Sequence, residues 1–372
     1  MLDHKLLFPL CVNCAKTKSA TCICNNRSFT GTWTTEELKL ALEKGYTINT
    51  IYEVLDYEKD YSKNKFKIYI DMFLKIKQES SGWPEWCTSE DLKQQYIENY
   101  YEKEGVKLEY NKIQKNEALR YIAKLMLNSL WGKLAQRPNQ NRTSIIKTFN
   151  DYWELITNKH IELLGHVFVN EDTIIFTWKY IDDDKDYARN YNVAVASFVT
   201  AYARIKLYKI MEEIEIIRPK SLLYHDTDSV IFYRKYTDPI IVCGDYLGDL
   251  TDEIIKDYTS NSKCIEFAAL GPKNYGFSVQ KSDGAIVSLF KCKGITCHFL
   301  AKQSISFEKM LNMALNYRDS NENSIIKVPQ RQFVINKYND INTKYYKKEY
   351  KVTSDKRYIN GVYTFPYGFV CA

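Results

Sequence analysis

Residues 222–233 read Leu-Leu-Tyr-His-Asp-Thr-Asp-Ser-Val-Ile-Phe-Tyr, and the interpretation of the whole chain starts from this stretch. Apolar residues lead into it, and apolar, β-branched and aromatic residues lead out, which predicts strand, tight turn and strand. Asp226 and Asp228 then lie together at the hairpin tip. Two neighbouring carboxylates repel each other unless a cation lies between them, and Mg²⁺ or Mn²⁺ with oxygen ligands suits such a pair. The alternative is a polar turn with solvated acids.

The composition permits a polyanionic partner without requiring one. The 372 residues include 52 Lys and Arg against 46 Asp and Glu, a net charge of +6, and are enough for two or three domains. The ten cysteines are scattered, which argues against a disulfide framework. No apolar run is long enough to span a bilayer and no signal peptide opens the sequence, so we expect an intracellular protein without a membrane partner. Nucleus and mitochondrion both stay open.

Residues 116–137 contain the most strongly helical pattern of the chain, with Asn116 as its cap and Pro138 as its end. The predicted buried stripe recurs at helical spacing and consists of Leu119, Ile122, Ala123, Met126, Leu130 and Leu134. A second face carries polar and basic residues one turn apart, namely Arg120, Lys124, Asn128 and Trp131. Such a row is tolerated when solvated and is useful when it binds a triphosphate.

Three motifs in this order resemble those of the family B DNA polymerases. Tyr-x-Asp-Thr-Asp-Ser at 224–229 resembles motif C, which places metal-binding aspartates on a palm hairpin. Lys-x-x-x-Asn-Ser-x-Trp-Gly at 124–132 resembles motif B, with Trp131 where Tyr is usual. Lys273-x-Tyr275 resembles the Lys-x-Tyr motif that grips the primer end.

The resemblance implies a role for each matched residue. Asp226 and Asp228 are the catalytic residues and metal ligands. The nucleotide site is formed by Arg120, Lys124, Asn128 and Trp131. The residues implied to contact DNA are Gly132, Lys273 and Tyr275.

The fold expected from this resemblance is α+β, a right-hand polymerase palm with fingers and thumb. The predicted segments are 1–45, a residual palm segment with a cysteine cluster; 46–110, a basic insertion like a terminal-protein region; 111–140, fingers; 141–184, an insertion; 185–289, palm; and 290–372, thumb. For the thumb, an exposed β-ribbon is the alternative. For 46–110, a solvated helix face competes with a nucleic-acid surface.

The nearest branch is the protein-primed one of bacteriophages, adenoviruses, linear plasmids and self-synthesising transposons. The sequence contains no Asp-x-x-Ser-Leu-Tyr-Pro, which is motif A, and no proofreading exonuclease. We therefore expect the C-terminal part of a longer polymerase whose partners are primer-template DNA, dNTPs and a priming terminal protein. One rival is a truncated, inactive product that only binds DNA. Another is an unrelated metal-dependent nuclease, which gives no reason for the motif B helix.

Four cysteines near the beginning of the sequence are candidates for a zinc site. Cys11 and Cys14 have the spacing of a metal knuckle, whereas Cys22 and Cys24 are closer together than usual. Four thiolates can bind tetrahedral Zn²⁺. Free thiols on a loop are the alternative.

The remaining patterns predict further elements. Helices are expected from Thr34 to near Gly45 and over 66–77, 89–104, 191–215 and 306–317. Strands are expected over 46–57 and 325–335. Residues 140–184 suggest irregular short strands that end in an acidic loop at 182–184, and 344–351 form a basic aromatic run suited to nucleic acid.

Overall fold

Helices and small sheets, most of them antiparallel, make up the chain in a computed structural model, which confirms a mixed α+β architecture. The structure describes residues 10–23, 27–57, 64–137, 139–181, 191–259, 261–320, 324–338, 340–353, 357–361 and 363–371. The chain divides into two compact units. Unit 1 comprises Met1–Trp33, Leu207–Cys243 and Leu250–Ala372; unit 2 comprises Thr34–Lys206 and Gly244–Asp249.

The described elements are numbered in chain order. The helices are α1 (Val12–Thr17), α2 (Thr35–Glu43), α3 (Lys67–Glu79), α4 (Glu90–Glu104), α5 (Glu117–Leu134), α6 (Phe149–Thr157), α7 (Val193–Ile217), α8 (Glu253–Asp257), α9 (Phe299–Ser304) and α10 (Phe307–Ser320). The strands are β1 (Thr21–Cys22), β2 (Arg142–Ile146), β3 (Ile161–Asn170), β4 (Thr173–Tyr180), β5 (Leu222–Asp226), β6 (Ser229–Phe232), β7 (Lys263–Gly271), β8 (Asn274–Gln280), β9 (Ile286–Lys291), β10 (Ile326–Ile335), β11 (Ile341–Tyr350), β12 (Tyr358–Asn360), β13 (Tyr363–Phe365) and β14 (Val370–Cys371).

Helix starts in unit 2 follow the capping residues of the sequence. The side chains of Thr34, Ser89 and Asn116 each accept a backbone N–H from the first turn of α2, α4 and α5. Gly105 ends α4 with φ of 69°, in the left-handed region that favours glycine. These boundaries confirm the predicted helices because a cap depends on residues within one turn of it. Pro138 lies outside the described residues.

The predicted strand over residues 46–57 is wrong. The structure has no regular secondary structure there, and Ile51, Tyr52 and Val54 are exposed. A strand needs a neighbour to take its backbone hydrogen bonds, and none of the described strands pairs with this segment. The alternation of apolar residues is therefore insufficient to form a strand.

Residues 142–180 are more regular than predicted. They form a three-stranded antiparallel sheet in the order β2-β4-β3, with α6 between β2 and β3. Strand β3 has ten residues and β4 has eight, so the short irregular strands predicted here are corrected. The acidic loop predicted at 182–184 lies outside the described residues.

The start of α5 is fixed to the end of α3. The backbone N–H groups of Gln114 and Asn116 donate to the carbonyls of Glu79 and Ser80 at 3.0 and 2.9 Å. Arg120 Nε donates to Ser81 Oγ at 3.0 Å. Gly82 has φ of 77°, and an added Cβ would come within 3.2 Å of the Lys115 backbone. The turn after α3 thus holds the first turn of α5 in place.

The predicted buried stripe of α5 is wrong in extent. Of its six members only Ala123 is buried, and Leu119 and Ile122 are exposed. Helix α5 packs against α3, where the Tyr69 hydroxyl donates to the Met126 carbonyl at 2.9 Å. In the described part of the chain this contact covers one narrow side of α5. The amphipathic pattern is therefore present without a partner for its full width.

Each unit has its own apolar core. In unit 2, residues of α3, α4 and the following turn form a cluster, namely Leu74, Cys87, Tyr96, Ile97, Tyr100, Val106, Leu108 and Ile113. In unit 1, α9, α10 and strands β7, β10 and β11 enclose Ala268, Leu270, Ala301, Ile305, Phe307, Met310, Met313, Val328, Tyr350 and Val352. Strand β7 belongs to the sheet β7-β8-β9, and β10 with β11 forms a two-stranded ribbon. The unit 1 core therefore supports the turn between β7 and β8.

Candidate active site

The predicted hairpin is present, with its carboxylates at the tip. Strands β5 and β6 pair antiparallel, and Asp226 is opposite Ser229. Thr227 has φ of 47°, a left-handed conformation that costs a β-branched residue roughly 1–2 kcal/mol. The Thr227 hydroxyl donates to Asp226 Oδ1 at 3.1 Å, and the Ser229 hydroxyl donates to the Asp226 carbonyl at 3.1 Å. Asp226 is half-buried at the end of β5, and Asp228 is exposed in the turn.

The turn between β7 and β8 brings Lys273 to this hairpin. Lys273 has φ of 57° and follows Gly271, whose φ of 138° favours glycine. The Lys273 Nζ lies 2.7 Å from Asp226 Oδ2 and forms an ion pair with it. The Lys273 backbone N–H donates to the Tyr224 hydroxyl at 2.8 Å. Lys273 therefore contacts the hairpin twice, at residues 47 and 49 positions before it in the chain.

Aromatic rings line the same side of the hairpin. The Tyr224 and Tyr275 rings lie 4.8 Å apart, and Phe267 lies 6.2 Å from each of them. The Lys291 Nζ lies over the Tyr275 ring at 5.5 Å from its centre. The Lys-x-Tyr pair therefore contacts motif C through both of its named side chains. Tyr275 is held by tilted ring contacts with Tyr224 and Phe267. Lys273 is held by its ion pair with Asp226.

The charges at the tip reinforce each other. The hydrogen bond from Lys273 lowers the pKa of Asp226, and the same bond raises the pKa of Lys273. Burial raises the pKa of Tyr224, which keeps its phenol neutral. At neutral pH the tip therefore holds an ionised carboxylate that already binds a cation.

The donors at the tip suit a hard divalent ion. Asp226 and Asp228 offer only carboxylate oxygens, the ligands that Mg²⁺ and Mn²⁺ prefer. The Lys273 ammonium already forms an ion pair with Asp226, the carboxylate that a metal cation would also bind. The surroundings of Asp226 therefore accommodate a positive charge. The residues fit the ion, and an entering ion competes with Lys273 for Asp226.

Tyr224 is the site residue missing from the sequence-based set. It lies two residues before Asp226, and strand alternation places both side chains on one face. That spacing was the available signal. Its hydroxyl accepts the Lys273 N–H, which no local pattern could have indicated.

The predicted nucleotide residues lie on α5 in unit 2. Lys124, Asn128 and Trp131 are exposed, and Arg120 is half-buried against Ser81. None of the described residues forms a hydrogen bond or an ion pair with the Lys124 side chain. Around Gly132 an added Cβ would meet nothing within 4 Å, so packing in the described chain does not require a glycine there.

Three of the four predicted cysteine ligands come together in unit 1. The sulfurs of Cys11, Cys14 and Cys22 lie within 4.8 Å of one another, and all three residues are buried. Burial, together with hydrogen bonds to the Cys22 and Cys11 thiols, raises the pKa of Cys14 to about 12. Cys24 lies outside the described residues.

Comparison with known proteins places the chain in a family. The sequence model of DNA polymerase type B, organellar and viral, matches residues 3–217, more than half of the chain. The match includes the α5 motif and ends before the hairpin, so it does not depend on Asp226 and Asp228. No solved structure matches the chain.

A curated relative agrees with this family. A protein of Neurospora intermedia described as a probable DNA polymerase is 23% identical over 230 residues. The alignment covers 57% of this chain and 22% of the relative, so the chain matches about a fifth of that protein's length. In the described parts of the structure, no helix combines the length and apolar character needed to cross a membrane. On the family match, the chain belongs to the type B DNA polymerases of the organellar and viral kind.

Proposed function

We propose that the chain carries the nucleotidyl-transfer site of a DNA polymerase that extends a primer with dNTPs on a DNA template. In this proposal the β5–β6 hairpin and the β7-β8-β9 sheet form the palm. Helix α5 belongs to the fingers, and the β10–β11 ribbon belongs to the thumb. Asp226 and Asp228 are the carboxylates of the reaction centre.

The observation that supports the proposal most is the contact between Lys273 and Asp226. Two motifs that resemble polymerase motifs are separated by 47 residues, yet Lys273 Nζ reaches Asp226 Oδ2 at 2.7 Å. A solvated polar turn gives no reason for this pairing or for the bond from the Lys273 N–H to Tyr224. A reaction centre needs both a metal-binding carboxylate and a group that holds the primer end beside it.

In this proposal, separate residues at the hairpin bind the metal ions and the primer. When bound, Mg²⁺ would stabilise charge on the attacking and leaving oxygens of the transfer. Asp226 and Asp228 would hold such ions at the tip. Lys273, released from Asp226, is free to bind a primer phosphate, and the half-buried aromatic cluster beside it supports the primer end.

The face of α5 supplies the nucleotide site. Lys124 and Arg120 lie one turn apart and bind triphosphate oxygens through charge-assisted hydrogen bonds. Asn128 contacts the sugar or base, and Trp131 offers a flat wall. The open space around Gly132 leaves room for the nascent base pair to approach the backbone.

A third carboxylate is needed from outside these residues. Two-metal transfer holds both ions between carboxylates of separate strands, about 4 Å apart. The sequence contains no Asp-x-x-Ser-Leu-Tyr-Pro. In this proposal the chain is a part of a longer, protein-primed enzyme whose primer is a terminal protein, and the remaining carboxylate comes from that longer protein.

The test is extension of a labelled primer by two proteins. One is the 372-residue chain, and the other is the same chain joined to an upstream segment that carries Asp-x-x-Ser-Leu-Tyr-Pro. We expect templated extension by the longer protein only, and none after Asp228→Asn. Degradation of the primer in place of extension, with the same dependence on Asp228, would identify a nuclease. Robust extension by the short chain would contradict the need for a third carboxylate.

A second candidate function is DNA binding without catalysis. It is favoured by the β10–β11 ribbon, on which Phe333 and Tyr345 are exposed beside exposed lysines such as Lys344 and Lys347. Aromatic and basic side chains together suit contact with bases and phosphates. Retained DNA binding by a longer protein that neither extends nor degrades primers would support this candidate.

A further inference from the structure

A buried group of cysteines in unit 1 has no part in the proposed transfer reaction. Cys11, Cys14 and Cys22 are 1%, 3% and 4% exposed, and none of them forms a disulfide. The Cys14 thiol donates to the Thr21 carbonyl at 3.6 Å. In the described residues this is the one group of three or more His, Cys, Asp or Glu side chains with the geometry to share a metal ion.

Separate elements bring the three sulfurs together. Cys11 precedes α1, and its side chain makes no cap hydrogen bond to the helix. Cys14 lies within α1, and Cys22 lies in β1. The turn after α1 is closed by a hydrogen bond from the Ser19 N–H to the Cys14 carbonyl at 2.9 Å. The chain therefore folds back so that Cys22 returns to the first pair.

The backbone at Gly368 closes the cluster from the other side. Gly368 has φ of 73°, and an added Cβ would lie 3.0 Å from the Cys14 Cβ and 3.2 Å from its sulfur. Its N–H donates to the Ser19 carbonyl at 2.9 Å. Strand β14 then pairs in parallel with β1, and Cys371 is the register partner of Cys22. The segments 10–22 and 363–371 thus meet around the sulfurs.

The three sulfur donors and the distances between them suit a zinc ion. Tetrahedral zinc with Zn–S bonds of about 2.3 Å places its sulfurs about 3.8 Å apart. The three sulfurs already lie within 4.8 Å of one another, so a small contraction reaches that geometry. Sulfur donors exclude Mg²⁺ and Ca²⁺, which take oxygen ligands. A disulfide would join only two of the three and leave the third unexplained.

We propose that Cys11, Cys14 and Cys22 bind a structural zinc ion that ties residues 10–22 to residues 363–371 of unit 1. The ion binds three thiolates, and the thiols release their protons to solvent on binding. Structural zinc sites have four ligands. Two other cysteines are close in sequence or register to Cys22, namely Cys24 and Cys371, and the experiment below tests both for the fourth position.

The first measurement is the zinc content of the full chain purified under reducing conditions. We expect about one zinc per chain. A mercurial reagent that modifies thiols should release it to a zinc-sensitive dye. Cys11→Ser, Cys14→Ser and Cys22→Ser should each lose the metal. The matched control is Cys87→Ser, because Cys87 is also buried but lies in the core of unit 2. Cys24→Ser or Cys371→Ser loses zinc if that cysteine supplies the fourth ligand; retention in both means that a water molecule or another side chain is the fourth ligand and supports the same three-cysteine site.

A second measurement keeps the test valid if the serine variants do not fold. The wild-type protein is loaded with Co²⁺, which should give the absorption bands of tetrahedral thiolate coordination. Alkylation followed by mass spectrometry should show Cys11, Cys14 and Cys22 protected until a chelator is added. The exposed Cys243 and Cys264 should react with or without it. Absence of zinc from wild-type protein, or alkylation of the three cysteines that does not change with chelator, overturns the proposal.

Discussion

The hairpin and the α5 face present their charged residues in opposite ways. At the hairpin, Asp226 is already paired with Lys273, and Lys273 is held again by Tyr224. On α5, Lys124 and Asn128 are exposed, and no described residue bonds to the side chain of either. A charged side chain that is already ion-paired is held in position, and it must give up its partner when a ligand binds. A charged side chain exposed to water finds a protein or ligand partner only when a ligand arrives. The hairpin is therefore assembled in advance, whereas the proposed nucleotide face of α5 presents side chains that no described residue holds.

This difference has a structural origin. The α5 row follows from helical periodicity, which places residues three and four apart on one face whatever surrounds the helix. The hairpin contacts require the register of β5 with β6 and a left-handed turn between β7 and β8. Preorganisation thus occurs where two separate strand pairs meet.

The largest expected effect comes from removing one carboxylate at the hairpin tip. Asp228→Asn in the longer, active protein should lower primer extension at least about 10³-fold, because loss of one metal-binding carboxylate removes several kcal/mol of charge stabilisation. The exposed side chain makes a folding defect a minor concern. Asp172→Asn, an exposed acid in the β3–β4 turn, is the control. Equal extension by wild type and Asp228→Asn would remove the hairpin from the reaction.

The next largest effect tests whether Lys124 on α5 binds the triphosphate of a nucleotide. Lys124→Ala should weaken dNTP binding by about 1.5–3 kcal/mol, or about 10- to 150-fold, as for a charged hydrogen bond. Duplex DNA affinity should stay within about twofold of wild type, since the resemblance assigns Lys124 to the triphosphate. Lys133→Ala is the control, because nine residues place Lys133 half a turn away around the helix. A larger loss for DNA than for dNTP would mean that the face is misassigned.

A smaller effect separates the two roles of Lys273. Lys273→Met should tighten Mn²⁺ binding by roughly 1.5- to 5-fold, because the entering ion no longer displaces an exposed ion-pair partner. The same change should weaken primer extension, because Lys273 no longer holds the primer. Lys302→Met, an exposed lysine on α9, should change neither quantity. Metal affinity that falls in Lys273→Met would show that the lysine does not compete with the ion.

The smallest effect is the pH dependence of the Lys273–Asp226 pair. The lowered pKa of Asp226 means that its contribution to stability is present above about pH 3.9, its unfolded value, and is lost as pH falls through the folded value. The raised pKa of Lys273 means that its contribution is present below about pH 10.4 and is lost as pH rises through the folded value. The urea midpoint of wild type should exceed that of Lys273→Met by a small, constant amount from about pH 5 to 9.

A difference in midpoint that persists unchanged at a pH low enough to protonate Asp226 in the folded protein would mean that Lys273 stabilises the fold through packing and not through its charge.

Sequence-based expectations held where one turn or one short hairpin contained all the needed information. Asn116, Ser89 and Thr34 begin helices as predicted, and residues 222–232 form the hairpin. Predictions were wrong where the local structure depends on contact with a segment far away in the sequence. Residues 46–57 have an alternating pattern, but none of the described strands pairs with them. Among the described residues, the apolar stripe of α5 is covered only where α3 contacts it.

The helix starts, the hairpin and the polar face of α5 follow from the amino-acid sequence, because each depends on contacts between residues no more than about ten positions apart. The tertiary structure alone decided that Lys273 reaches Asp226 and that Gly368 closes over Cys14. Those contacts join residues 47 and 354 positions apart. Their formation depends on strand register and on left-handed turns, which bring together groups that no local pattern relates.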